Sequence, residues 1–332
     1  MSWIIEKNTD SRKREEWVDG LRAVAVLFVI FGHQIPGNTI YYVFTSPIKI
    51  PLLFMITGYV FNDARTSIVE FLRYLLRRLI IPWLCFTLPL AILYVPEQGL
   101  KAFPMRFLGL IAGEIEWYMP CCVIAMTIWF VIRRICRTVF ATSAFAFAVF
   151  GIGIIASRSN VLNYAMVNRA MLMQLFILEG HLFRVYRKHL NTINRNIVIL
   201  LCVLYLAMGF ISFAVWPGKS LDVHLNRYYC PPFCFSMMLI GCFSAFMVTC
   251  RLPHIPRILC FIGQNTLVYY LLHAYTIFLG EHALRLIGVC LPDSVSGALI
   301  RTLIACIGCG IEAILINRYL PEIVGKKRRR FA

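Results

Sequence analysis

The chain is poor in acid and in charge generally: only 16 of its 332 residues are Asp or Glu, and charged residues make up 15%. A soluble domain of this length carries about a quarter charged residues, so that class is excluded. With 60% hydrophobic residues and a mean hydropathy of +0.73, the composition is that of a polytopic membrane protein. Paired loop cysteines are also lacking. Cys85, Cys202, Cys242, Cys306 and Cys309 lie inside apolar runs, which reads as free thiols, packed or facing lipid, and excludes a disulfide framework. Cys121 and Cys122 are adjacent and far from any His-rich cluster, so no metal site is expected. No internal repeat or low-complexity linker divides the chain. Residues 1–332 therefore read as a single membrane domain, with a cytoplasmic N-terminal segment 1–16 and a basic cytoplasmic tail 317–332. Arg12, Lys13 and Arg14 look like the start of a signal peptide, but no small-residue cleavage site follows the first apolar run, which is expected to stay as an uncleaved span.

What is present is a succession of apolar runs. They predict an all-α helical bundle of about ten transmembrane helices, at Trp17–His33, Ile48–Phe61, Leu79–Val95, Phe107–Ile132, Val139–Ala156, Ala170–Phe183, Ile197–Trp216, Phe233–Val248, Ile258–Phe278 and Ala298–Ile316. The polar connection from Asn62 to Arg78 reads as an interfacial helix. The formal charge of +17 suggests nucleic acid at first sight, yet the positive residues fall in short clusters between apolar runs and so report topology instead. With the N-terminus inside, 24 of the 33 Lys and Arg residues fall on the cytoplasmic side, which places both termini there.

Chemistry concentrates first in Trp17–His33, WVDGLRAVAVLFVIFGH. Arg22 and His33 are eleven residues apart, about three helical turns and roughly 16 Å, so they share one face. With Arg22 at the interface, His33 falls near the middle of the span, where an ionisable group faces the bundle or a wet cavity. In the ninth span Asn265, Tyr269 and His273 recur every four residues on one stripe, either as functional groups or as interhelical glue. Glu116, beside Trp117, could bind a substrate hydroxyl or orient an imidazole, or rest at the interface in an aromatic belt. Arg73, Arg77 and Arg78 precede Leu79 at a cytoplasmic membrane face. Such guanidiniums anchor to lipid headgroups or hold phosphates through paired hydrogen bonds. The Lys326–Arg330 run reads as a further anchor.

The stretches VDGLRAVAVLFVIFGH, PLLFMITGYVF, RRLIIP, EWYM and FIGQNTLVYYLLH occur in the order and spacing of the acyltransferase 3 family of integral-membrane acyltransferases. Nearly the whole chain resembles its short members, of the fucose 4-O-acetylase-like and O-antigen acetylase type. The resemblance implies transfer of an acyl group, usually acetyl from acetyl-CoA, to sugars of surface polysaccharides or their lipid-linked precursors in a bacterial cytoplasmic membrane. It maps Arg22 and His33 onto the family's Arg-x10-His pair, and the arginines before Pro82 onto its basic cytoplasmic motif. The family commonly has two arginines three apart there. Here Arg78 fits the second position and Leu75 occupies the first, so Arg77 or Arg73 substitutes; Thr57 likewise stands for the more usual Ser.

On this resemblance Arg77, Arg78 and Arg73 would hold the phosphates of acetyl-CoA, and Arg22 would lie near the pantetheine path. His33 would act as general base on the acceptor hydroxyl, or as a nucleophile through an acetyl-His33. Asn265, Tyr269 or His273 would donate to the oxyanion. The partners expected are acetyl-CoA, a glycan or lipid-linked sugar acceptor and membrane lipids, with no nucleic acid. An exporter of polysaccharide or lipid-linked sugar would use the same intramembrane His and aromatics without a thioester.

Overall fold

The structure is a computed structural model that describes residues 15–37, 39–61, 67–93, 103–114, 116–158 and 166–326. The basic residues Arg12, Lys13 and Arg14, and Lys327 to Arg330 of the tail, lie outside the described residues. In chain order the helices are α1 (Glu16–Gly32), α2 (Ile40–Val60), α3 (Ile68–Leu75), a wide π turn (Leu76–Ile80), α4 (Ile81–Leu93), α5 (Phe103–Ala112), α6 (Tyr118–Ile135), α7 (Val139–Arg158), α8 (Val167–Leu172) and α9 (Gln174–Asn191). They continue as α10 (Arg195–Val215), α11 (Pro231–Thr249), α12 (Arg257–Gln264), α13 (Thr266–Leu286), α14 (Val295–Tyr319) and a 3-10 turn (Pro321–Val324). Among the described residues there is no β-strand, only an isolated bridge between Asp222 and Arg227.

Among the described residues six helices, α2, α6, α7, α10, α11 and α14, are long and apolar enough to cross a membrane. Three of the expected spans are interrupted. Phe107–Ile132 breaks at Gly113 and Glu114 into α5 and α6, Ala170–Phe183 at Met173 into α8 and α9, and Ile258–Phe278 at Asn265 into α12 and α13. Hydropathy registers apolar content and not backbone direction, so an apolar run conceals a break inside it. Conversely α2 begins at Ile40, eight residues before the expected Ile48. All thirteen cysteines are free.

The chain forms two compact units, one containing Val60–Leu178 and Leu315–Ala332, the other Glu15–Tyr59 and Glu179–Ile314. In the first, Ser67 starts α3 with a reciprocal capping box: its hydroxyl accepts from the Glu70 N–H at 3.2 Å, and the Glu70 carboxylate accepts from the Ser67 N–H at 3.0 Å. The buried ring of Phe71 then stacks on Phe130 of α6, centroids 4.1 Å apart. The π turn follows directly, ahead of Pro82, which has no N–H to give to the turn before it.

In the second unit α1 is deeply packed, with Ala23, Ala25, Val26 and Ile30 fully enclosed. It lies against α12 so closely that a Cβ on Gly263 would fall 1.9 Å from the Asp19 carbonyl oxygen. Neither backbone can yield without loss of the crossing. Gly263→Ala is therefore expected to destabilise the protein by about 3 kcal/mol or more, by analogy with overpacked cores, read as a lower midpoint of thermal unfolding in detergent. Trp17, Tyr59, Phe183 and Phe246 form a cluster with centroids 5.0 to 6.4 Å apart, edge-to-face except for the tilted Trp17–Phe183 pair, each edge-to-face pair contributing about 1 kcal/mol. Above it Tyr59 Oη donates to Glu15 Oε2 at 2.7 Å, and Arg187 pairs with Glu15 and donates to Tyr59 Oη at 2.6 Å. Thr57 Oγ1 donates back to the Leu53 carbonyl at 2.9 Å. The Thr57-Gly58-Tyr59 segment thus ties α1, α2 and α9 together.

Candidate active site

Helix α1 stops at Gly32, and His33 is its C-cap residue, with its N–H on the Val29 and Ile30 carbonyls. His33 therefore stands at the end of the helix, directly after its last turn. Pro36 shortly afterwards cannot extend the ladder. The ring of His33 is exposed, and it stacks against His273 of α13 at 5.4 Å between centroids and 24° between planes. Among the described residues neither ring nitrogen of His33 has a hydrogen-bond partner.

His273 is different, since it is buried and its Nδ1 lies 2.8 Å from the Tyr270 carbonyl and 3.2 Å from that of Tyr269. A carbonyl only accepts, so Nδ1 carries the proton and Nε2 of the neutral ring is an acceptor. His273 in that state cannot donate to an oxyanion, which changes the role expected of it. The other two members of the stripe are engaged elsewhere. Asn265 Nδ2 donates to the Phe261 carbonyl at 2.8 Å where α12 ends, and Tyr269 Oη donates to the Cys306 carbonyl of α14 at 3.2 Å. They hold α12, α13 and α14 in place.

Three residues that carried no functional assignment in the sequence are joined beside Gly32, the residue before His33. Lys49 of α2 directs its Nζ to within 3.0 Å of where a Gly32 Cβ would stand, and 4.5 Å above the Tyr42 ring. Any side chain at Gly32 would push the ammonium aside. Tyr42 Oη donates to Asp222 Oδ2 at 3.3 Å, and Ile35 and Ala298 pack with Tyr42 in one buried cluster. The loop carrying Asp222 is held by Ser46 Oγ, which donates to the Leu221 carbonyl at 2.6 Å. Lys49, Asp222, His224 and His273 all lie within electrostatic range of His33. A lysine inside the apolar stretch TSPIKIPLLF was the available signal, because an ionisable group at that depth is costly to keep.

Arg22 pairs not with His33 but with buried Asp19, 3.4 Å away, and Asp19 also accepts from Gln264 Nε2 at 3.4 Å. It is about three turns of α1 from the histidine pair. Arg73, Arg77, Arg78, Glu116 and Trp117 belong to the first unit. Arg73 lies on α3, Arg77 and Arg78 in the π turn, and Trp117 opens α6 with its ring edge-on to Tyr118 at 6.2 Å. Among the described residues no three His, Cys, Asp or Glu side chains gather as a metal site would require.

An all-helical chain with six membrane-length apolar helices, and with a histidine pair and a lysine gathered at one helix end, is a multi-pass membrane protein. It belongs to the acyltransferase 3 family, whose acyltransferase domain matches residues 15–315. Membership implies an acyltransferase that takes an acyl donor and an acceptor, in agreement with the resemblance read from the motifs. No curated protein and no solved structure shows a significant match.

Proposed function

We propose that the protein is a membrane-embedded O-acetyltransferase, moving acetyl from acetyl-CoA to a hydroxyl of a surface-polysaccharide sugar or its lipid-linked precursor in a bacterial cytoplasmic membrane. In this reading the whole chain is one catalytic domain of about ten crossings with both termini cytoplasmic. The distribution of Lys and Arg supports that topology, and the single family match along residues 15–315 supports the undivided domain.

The observation that carries the chemistry is the His33 ring, exposed, with no protein partner for either nitrogen among the described residues, and facing a second imidazole. His33 takes the proton of the acceptor hydroxyl as its oxygen bonds to the thioester carbonyl carbon. The carbonyl electrons move onto oxygen, then return to expel the CoA thiolate. The His33 imidazolium gives its proton to that sulfur and is ready for another cycle. His273 backs the ring on one face while its own Nδ1–H stays on α13. Arg73, Arg77 and Arg78 hold the donor's phosphates in this scheme, Arg22 lies near the pantetheine path, and Glu116 with Trp117 contacts the acceptor sugar.

The full chain in nanodiscs, given acetyl-labelled acetyl-CoA and a panel of glycans, is expected to release free CoA only with an acceptor and to move label onto the glycan. Glycan crossing the bilayer with unchanged acetyl content and no CoA released would replace this reading by that of an exporter.

A further inference from the structure

Lys49 sits in the part of α2 least able to hold it for structural reasons. It is flanked by Pro47 and Pro51, each of which removes a helical N–H, so the helix loses two hydrogen bonds around the lysine. A lysine near an interface ordinarily extends its ammonium toward water and headgroups. Here the ammonium is half-buried over the Tyr42 ring and close against Gly32, at the foot of His33. Among the described residues it has no hydrogen-bond acceptor and no ion pair, so three charge-assisted donors are left uncommitted.

Asp222 is near enough to influence Lys49 without touching it. Its Oδ2 takes the Tyr42 hydroxyl and its Oδ1 takes the Leu225 N–H at 3.0 Å. The carboxylate balances the charge at a distance, and the ammonium is within electrostatic range of His33. Tyr42, clamped by Asp222 and by Ile35 and Ala298, supplies the ring face that fixes where the ammonium rests.

We propose that Lys49 is a catalytic residue whose ammonium donates to the oxyanion formed when the thioester carbonyl is attacked beside His33, with Tyr42 and Asp222 as the residues that position it. The proposal rests on the acyl-transfer reading and fills the place left by His273, Asn265 and Tyr269. The ammonium stays protonated throughout, and the transferred proton travels through His33 alone.

The test is steady-state CoA release by the full chain in nanodiscs, with donor and acceptor each varied, for wild type, Lys49→Met, Lys49→Arg and Tyr42→Phe. Lys49→Met is expected to lower kcat on the order of 10²- to 10³-fold, the loss typical of one oxyanion donor. Both KM values should stay within about threefold of wild type, since only the transition state is affected. Lys49→Arg should recover part of the rate, and Tyr42→Phe, which keeps the ring but drops the bond to Asp222, should lower kcat about fivefold. Equilibrium binding of labelled acetyl-CoA at wild-type affinity verifies the fold of each variant; if Lys49→Met does not fold, Lys49→Gln carries the same expectation. An unchanged kcat overturns the proposal. So does a loss confined to acceptor KM, which would make Lys49 a contact for an anionic group on the acceptor. A wild-type protein that consumes no acetyl-CoA removes the acyl-transfer reading itself, whereas an active wild type with an equally active Lys49→Met removes only the lysine assignment.

Discussion

His33→Ala is expected to reduce acetyl transfer by 10²- to 10⁴-fold in kcat, the range for loss of a general base, while expression and unfolding temperature stay close to wild type. The fold should tolerate the change because His33 follows the last turn of α1, has an exposed ring, and has no side-chain hydrogen bond among the described residues. The His33 ring is the exposed one of the pair, whereas His273 is buried. Its Nδ1–H is fixed on the Tyr270 carbonyl, so the second ring is oriented by α13 and not by the acceptor. Acceptor-dependent CoA release in the two proteins is the measurement. Near-normal acetylation by a well-expressed His33→Ala protein would end the base assignment.

Neutralising the π turn should be felt at the donor instead. Replacing Arg77 and Arg78 together by Gln is expected to raise the acetyl-CoA concentration for half-maximal rate on the order of 100-fold. Each charge-assisted hydrogen bond to phosphate contributes about 1.5–3 kcal/mol, and neighbouring contacts are not fully additive. The maximal rate at saturating donor should change little, because in the proposed scheme the arginines act on binding and not on the reacting carbonyl. Arg73→Gln, on the adjoining helix, tests whether the donor reaches beyond the turn. If both variants keep wild-type donor saturation, the guanidiniums are lipid anchors.

Much of the helical class was legible, because 60% apolar residues in runs separated by basic clusters leave little else. His33 was legible too, as a lone imidazole in the first apolar run. Lys49 stands in plain view inside the apolar run TSPIKIPLLF, but counting Lys and Arg between runs discards where in its helix a charge lies. Tyr42 and Asp222 were not legible at all, since they stand 180 residues apart and neither belongs to a local pattern. The Asn265–Tyr269–His273 stripe assumed one uninterrupted helix. The chain turns at Asn265, which separates the first member from the other two and leaves only His273 against His33.

The π turn at Leu76–Ile80 closes with the Ile81 N–H on the Leu76 carbonyl, one residue more than an α turn would take. That surplus is a phase shift along the helix axis. Relative to α4, everything before it is rotated by about 100° from where an unbroken α-helix would put it. Deleting a single residue from this turn would cancel the shift and swing Arg73 about a quarter of the way round, without removing any charge. The spacing rule for basic residues ahead of a proline therefore has to be counted in angle as well as in sequence, and two chains with arginines at different intervals can present them in the same direction.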